Sequence, residues 1–393
     1  MSEWRECTLG DLCLDISYGF TASASLEEIG PHFLRITDIV SGRLNWDTIP
    51  YCEIDEEKRG KYFLDEGDIV IARTGASTGA TYTWRVNDQS NTVFASYLIR
   101  YQLDKRQADP KFIGFLLRSR NWFLFVEGIK GGSAQPGANA KQFASYEISL
   151  PPLPEQRAIA AVLSALDDKI DLLQRQNRTL ESLAQALFRH WLIDGAGADW
   201  EECSLYDAIE LVGGGTPKTS EAEYWGGDIY WLSGGDIANN HKNFVVSSDK
   251  TITELGLQKS ATKLLPQFST VISARGTVGK YCLLAEPMAF SQTSYGVKPK
   301  FEHCFFFTYL LIDHSVTELL SAAYGSVFDT ITIRTFQNQR ICVPSEAEIL
   351  SFEDQITPYF QRMKLNQIQI RTLASLRDTL LPKLMSGEVR VRG

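Results

Sequence analysis

The 393-residue sequence is poor in the groups that catalysis and metal binding rely on. Its five histidines (His32, His190, His241, His303, His314) are scattered, and none pairs at metal-ligand spacing. Its seven cysteines, at positions 7, 13, 52, 203, 282, 304 and 342, are odd in number and form no CxxC pair. That excludes a disulfide framework and a zinc site of the usual spacing, and it fits a reducing cytoplasm. There is no GxxxxGK[ST] phosphate loop, no HExxH and no GxSxG. Gly213-Gly214-Gly215-Thr216-Pro217-Lys218-Thr219 comes nearest to a phosphate cradle, but its glycine, lysine and hydroxyl stand in the wrong order. A polar surface loop is the better reading. The tetrapeptide and glycine-rich motifs of amino-methyltransferases are missing. The longest apolar stretch, Cys304 to Ile312, is too short to span a bilayer. The start, MSEWRECTLGDL, has neither the basic region nor the apolar core of a signal peptide. A chain of this size without a catalytic set is expected to recognise or to scaffold, holding no metal or cofactor of its own.

What the sequence does have is itself, twice. Residues 145–188 and 338–381 match at one unbroken offset of about 193 positions. Ile148, Pro151 and Glu155 become Ile341, Pro344 and Glu348; Arg178, Thr179, Leu180 and Leu187 become Arg371, Thr372, Leu373 and Leu380. The regions before them repeat more loosely. Trp4 to Leu9 matches Trp200 to Leu205, and Leu34 to Ile39 (LRITDI) matches Leu232 to Ile237 (LSGGDI). Ala72-Arg73 followed by Gly79 pairs with Ala274-Arg275 followed by Gly279. A repeat this long is no solenoid; it predicts two copies of one α+β domain, each followed by one long helix. The expected division is 1–150, 151–197, 198–344 and 345–393.

The helices are the strongest expectation. Residues 159, 163, 166, 170, 173, 177, 180, 184, 187 and 191 are apolar except Asn177, and their spacing alternates four and three. That is a coiled-coil seam. The equivalent positions 352, 356, 359, 363, 366, 370, 373, 377, 380 and 384 form a second seam, with Asn366 and Arg377 as polar exceptions. Pro154 suits a helix mouth, and Gly195, Gly197 and Gly387 suit helix ends. Pro358 is expected to kink the second helix or to restart it with Thr357 as N-cap. Two equal one-striped helices can meet as an antiparallel, pseudo-two-fold coiled coil with Asn177 near Asn366. The alternative is two separate amphipathic helices, each lying on its own domain.

The net charge of −9 argues against nucleic acid at first sight. The signs are not evenly mixed, however. Windows 69–87, 110–126, 128–146 and 255–285 carry arginine and lysine and no acid. Affinity for phosphate depends on charge near the backbone, not on net charge. Short β-rich runs (Asp68 to Ala72, Ser96 to Tyr101, Glu147 to Leu150, Thr270 to Ala274, Tyr281 to Ala285, Gln339 to Val343) alternate with glycine-bearing polar loops, and helices are expected at Pro110 to Arg120 and Phe305 to Ala323. A curved, mostly antiparallel sheet follows. The loops supply the candidate DNA contacts: Arg73, Thr74, Ser77, Ser96, Lys130, Ser133, Gln135, Asn139 and Lys141 in the first copy, and Arg275, Thr277, Lys280, Gln292, Thr293, Ser326 and Arg334 in the second. These are the side-chain types that read base edges or hold phosphates. Ordinary hairpin turns would show the same composition.

The tracts ISLPPLPEQRAIAAVLSALDDKIDLL and TLASLRDTLLPKLMSGEVRV resemble the two shared regions of the specificity subunit of type I restriction–modification enzymes. The likeness extends over the whole layout of variable domain, shared helix, variable domain, shared helix. It implies two target-recognition domains, each reading part of a split sequence in double-stranded DNA. It implies two methyltransferase (modification) subunits on the shared helices and a restriction/translocase subunit beyond them. S-adenosylmethionine, ATP and Mg would then belong to those partners, and the chain would be cytoplasmic, non-catalytic and free of any membrane. A free-standing bipartite DNA-binding or inhibitory protein, or a piece of a fused restriction–modification enzyme, remain the alternatives; the complete two-copy layout speaks against the piece.

Overall fold

The two long helices form as the seams require. The computed structural model describes residues 4–130, 137–195, 197, 200–324 and 330–391. The first helix runs Leu153–Arg189 and closes in a π-helical turn, His190–Asp194; the second runs Glu346–Met385. By its contacts the chain divides into two units, Met1–Lys169 with Leu373–Gly393, and Ile170–Thr372. Each of the two units takes part of both helices.

In the first unit the helix segments run antiparallel. Glu155 pairs with Arg390 at 2.8 Å and Asp167 with Arg377 at 2.8 Å, one number rising as the other falls. Ile159, Leu163 and Leu384 are buried in one apolar cluster with the domain core. In the second unit the Asn366 amide donates to Asn177 Oδ1 at 2.8 Å, and Trp191 stacks on Phe352 at 4.7 Å between ring centroids. Phe188 and Phe360 are buried beside the seam positions. The stripe widens there because both helices pack on the second unit's domain as well as on each other. Pro358 does not restart the second helix. The helix is continuous through it, and the Thr357 hydroxyl bonds back to the Glu353 carbonyl at 2.8 Å instead of capping a new start.

The domain of the first unit holds strands β1 (Arg5–Thr8), β2 (Cys13–Tyr18), β3 (His32–Leu34), β4 (Ile69–Ala72), β5 (Thr81–Thr83), β6 (Thr92–Phe94), β7 (Leu98–Leu103) and β8 (Glu147–Leu150). An antiparallel sheet runs β2-β7-β4-β5; β3 pairs parallel with β6, and β1 antiparallel with β8. β4, Ile-Val-Ile-Ala, is buried throughout, as a central strand of branched residues should be. The helix expected at Pro110 to Arg120 ends earlier, and a second one follows it. Pro110–Leu116 stops, and Ser119 caps a new one, Arg120–Ile129.

The second unit repeats the plan with β9 (Glu201–Ser204), β10 (Ile209–Gly213), β11 (Trp225–Leu232), β12 (Phe244–Val245), β13 (Lys250–Ile252), β14 (Thr270–Ser273), β15 (Tyr281–Leu284), β16 (Ala289–Phe290), β17 (Ser294–Pro299) and β18 (Arg340–Val343). Its sheet runs β10-β17-β14-β15-β12; β13-β11-β16 forms a second sheet, and β18 pairs with β9. β12 and β13 are the additions. Among the described residues no helix is long and apolar enough to cross a membrane.

Helix Phe305–Tyr324 packs between this sheet and the first long helix, and buried acids fix it. Glu353 accepts the backbone N–H of Phe306 at 3.0 Å and of Phe307 at 2.7 Å. Tyr309 donates to Glu181 at 3.1 Å, and Asp313 takes Lys242 at 3.0 Å, Gln185 at 3.0 Å and the Tyr281 hydroxyl. Burial pushes Glu181 up to about 7, against the Tyr309 hydrogen bond and the Lys242 charge. The folded state therefore favours the protonated acid. Its stabilising contribution is present below the ordinary carboxylate range and is lost as pH rises through about 7. Glu181→Gln is expected to leave stability nearly unchanged at pH 4 and to raise it by about 1–2 kcal/mol at pH 8. Urea midpoints at the two pH values check this.

Candidate nucleic-acid interface

Three loops of the first unit meet at the end of its main sheet. The Arg73 N–H donates to the Tyr97 carbonyl at 3.0 Å, and the Arg73 carbonyl accepts from Ala138 at 3.0 Å. Thr74 bridges to Gly137. Asn139 caps the helix Ala140–Ala144 by accepting from the Gln142 N–H at 3.0 Å. The structure so gathers Arg73, Thr74, Ser96 and Asn139, with Ser77 further along the first loop and Lys141 exposed on the capped helix. The Gln142 side chain donates to the Ile129 carbonyl at 3.2 Å, which seats the end of helix Arg120–Ile129 beside them. Lys130 follows that helix but is spent on an ion pair with Glu127, so it offers less than a free cation. Ser133 and Gln135 lie outside the described residues.

The second unit builds the same frame. The N–H groups of Ala274 and Arg275 both donate to the Thr293 carbonyl, at 2.8 and 3.1 Å, and Ile331 donates to the Ala274 carbonyl at 3.1 Å. Thr277 shares a hydrogen bond with Ser273 at 2.9 Å and donates to the Gly234 carbonyl at 3.2 Å. Thr293 meets Ser291 at 2.7 Å, and Gln292 accepts from the Thr216 hydroxyl. Lys280 is exposed at the end of the loop, and Arg334 is exposed on helix Ile333–Asn338. Beside Lys280, His241 is held below its ordinary value by burial and by the Lys280 charge, so it is neutral near pH 7. Ser326 lies outside the described residues.

The hydrogen bonds correct one sequence match. Gly79 donates to the Ala72 carbonyl, and Gly279 to that of Ser273; Arg73 donates to Tyr97, and Ala274 to Thr293. Ala72 therefore corresponds to Ser273, Arg73 to Ala274, and Thr74 to Arg275. The left-handed glycines agree: Gly75 and Gly79 are four residues apart, Gly276 and Gly279 three. The second loop is one residue shorter, so the Ala-Arg dipeptides align by letter and not in space.

Two groups at this interface escaped the sequence reading. Tyr18, at the end of β2, carries the Arg73 guanidinium 4.8 Å over its ring and accepts the Ala140 N–H at 3.1 Å. A lone tyrosine gave no signal 55 residues from its partner. The Gly213–Thr219 loop, read as polar surface, enters the site through Thr216; its approach is permitted because Gly214 lies against the Ser291 carbonyl, where a Cβ would clash. What results in each unit is a cluster of hydroxyl, amide and guanidinium groups on a fixed backbone frame. Such a set can donate to and accept from base edges or phosphates.

Comparison with known proteins follows the same lines. The sequence matches the family described as "Type I restriction modification DNA specificity domain" twice, over residues 1–182 and 197–371. It is similar to the HindI specificity subunit of Haemophilus influenzae, 24% identical over 99% of this chain and 100% of the relative. It is similar to the MjaIX specificity subunit of Methanocaldococcus jannaschii, 26% identical over 72% of this chain and 69% of the relative. Its fold matches the crystal structure of a type I restriction–modification S subunit from M. genitalium, with a TM-score of 0.64, 16% identity, and coverage of 97% of this chain and 96% of that one.

Proposed function

Because the chain belongs to the type I restriction–modification DNA specificity family, we propose that it is the subunit that reads a bipartite DNA target for such an enzyme and scaffolds its modification subunits. The observation that carries this is the recurrence of one loop frame in both units with different side chains on it: Arg73, Thr74 and Tyr97 in the first, Ala274, Arg275 and Thr293 in the second. Two readers of two different half-sites need that combination. Hydrogen bonds from side chains on a rigid frame give base discrimination, and basic loops without acids give the phosphate attraction.

The chain's own role is recognition, without catalysis. Its sequence supplies no nucleophile set, phosphate loop or methyl-donor motif, so S-adenosylmethionine, ATP and Mg belong to partner subunits. Two methyltransferase subunits fit a chain whose helix tract occurs twice, and a restriction/translocase subunit completes the enzyme. The work is cytoplasmic, where the DNA is. Replacing residues 1–143 with those of a relative of different specificity is expected to change one half of the methylated sequence and to leave the other intact. Methylome sequencing of a host carrying the hybrid tests it; an unaltered first half would refute the assignment of reading to this domain.

A further inference from the structure

Arg73 differs from several other arginines of its unit. Arg35, Arg59, Arg100, Arg106 and Arg118 each pair with a carboxylate. Arg73 has no ion pair among the described residues. Its backbone is fixed on both sides by Tyr97 and Ala138, and one face of its guanidinium lies 4.8 Å over the Tyr18 ring. Tyr18 is itself pinned through its hydroxyl to the Ala140 N–H. The buried Arg73 Nε meets no hydrogen-bond partner among the described residues. That Nε is closed off from an incoming ligand, but the two Nη groups donate to nothing among the described residues, and a planar fork held by its face is preorganised to present them to two adjacent acceptors.

The second unit lacks this device. Gly19 presses on the Ala95 and Phe94 carbonyls as Gly214 presses on that of Ser291, so Tyr18 corresponds to Gly213. Arg73 corresponds to Ala274. Arg275 stands one residue along; it is exposed, and among the described residues no aromatic ring lies beneath it.

Building on the proposed function, we propose that Arg73 reads the O6/N7 edge of one guanine in the first half-site, with Tyr18 as its positioning residue. The second half-site is read from the Arg275 position instead, so the two halves are not contacted in equivalent register. Guanine is the base that offers two acceptors side by side in the major groove.

The test uses the chain assembled with its modification subunits and a panel of duplexes varied one base at a time. Arg73→Ala and Arg73→Lys are expected to lose about 10- to 100-fold of discrimination at a single G·C pair of the first half-site, and nothing in the second. Tyr18→Leu is expected to lose about 5- to 10-fold at the same pair, while Tyr18→Phe, which keeps the ring, stays within about twofold. Tyr18 is 41% exposed, and an unchanged urea midpoint excludes misfolding of the leucine variant. Arg275→Ala is expected to act on the second half alone. Uniform weakening on every duplex, with a shallower salt dependence, would make Arg73 a phosphate contact and overturn the inference. So would unchanged discrimination in Arg73→Ala or Tyr18→Leu. A wild-type complex indifferent to all base changes would instead sink the functional reading beneath it.

Discussion

Trp122→Ala is expected to cost about 3–5 kcal/mol of local stability in the first unit and to abolish its grip on DNA, although Trp122 is not itself a candidate contact residue. Trp122 is fully buried on helix Arg120–Ile129, among Phe125, Phe143 and Tyr146, with centroid distances of 5.7, 5.7 and 5.1 Å. Its Nε1 donates to the Gly79 carbonyl at 2.8 Å. Gly79 closes the loop that begins at Arg73, adopts φ +88°, and has Val126 where a Cβ would stand. One indole thus holds the recognition loop from below and, through Phe143, the helix that Asn139 caps. Truncation opens a cavity and orphans a carbonyl together. Trp122→Phe separates the two effects: it keeps most of the packing and loses only the hydrogen bond, about 1–2 kcal/mol. Hydrogen exchange of the β4 amides, with first-half-site affinity, reads both. Leu320 meets Gly279 as Val126 meets Gly79, so the counterpart of Trp122 is Val316, which has no donor. Val316→Ala is accordingly expected to be mild, and equal losses from the two alanine variants would show that the indole is no special support.

The parts of this molecule that could be read from sequence are those whose determinants are local or periodic. A 3.5-residue repeat needs no tertiary information, so both helices and their seam residues emerge; Ile159, Leu163, Ile170 and Leu173 are all buried as their spacing demands. Arg377 looked like a flaw in the second seam. Asp167 answers it at 2.8 Å, and Arg118 reaches the same carboxylate at 3.2 Å, a compensation that only the fold reveals. Strand positions such as 69–72 and 147–150 were legible because branched residues there fill buried sites. The break at Leu117 was in principle legible too, since Ser119 is a good N-cap and the polar run Arg118 to Asn121 interrupts the apolar pattern. The loop register was not. Whether Arg275 corresponds to Arg73 or to Thr74 depends on which carbonyl its neighbour's N–H meets, and a one-residue deletion between two left-handed glycines leaves no mark in composition. Tyr18 was hidden for a related reason. A cation–π contact across 55 residues has no spacing rule.

Asn366→Leu is expected to destabilise the second unit by about 2–3 kcal/mol, although it places the ordinary residue of a coiled-coil seam at a seam position. Asn177 and Asn366 are 4% and 1% exposed, between seam neighbours Leu173, Met363 and Ile370 that are themselves buried. The Asn366 amide satisfies Asn177 Oδ1 at 2.8 Å, and the Asn177 amide satisfies the Met363 carbonyl at 3.2 Å. With leucine at 366, Asn177 Oδ1 is left in an apolar surround with no donor. Burying an unpaired acceptor costs more than the pair contributed, because the wild-type amides exchanged water for each other and the variant exchanges it for nothing. The double variant Asn177→Leu/Asn366→Leu is therefore expected to recover the loss and to exceed the wild type, since no side-chain polar group remains to be paired and the Met363 carbonyl stays within the continuous helix Glu346–Met385. What the wild type gains from keeping the asparagines is alignment: only one sliding position of two antiparallel seams brings the amides together, and any other strands both. Urea midpoints of the two single variants and the double variant decide it. A neutral Asn366→Leu would mean that the aromatic packing of Trp191 on Phe352, not the amide pair, sets the alignment.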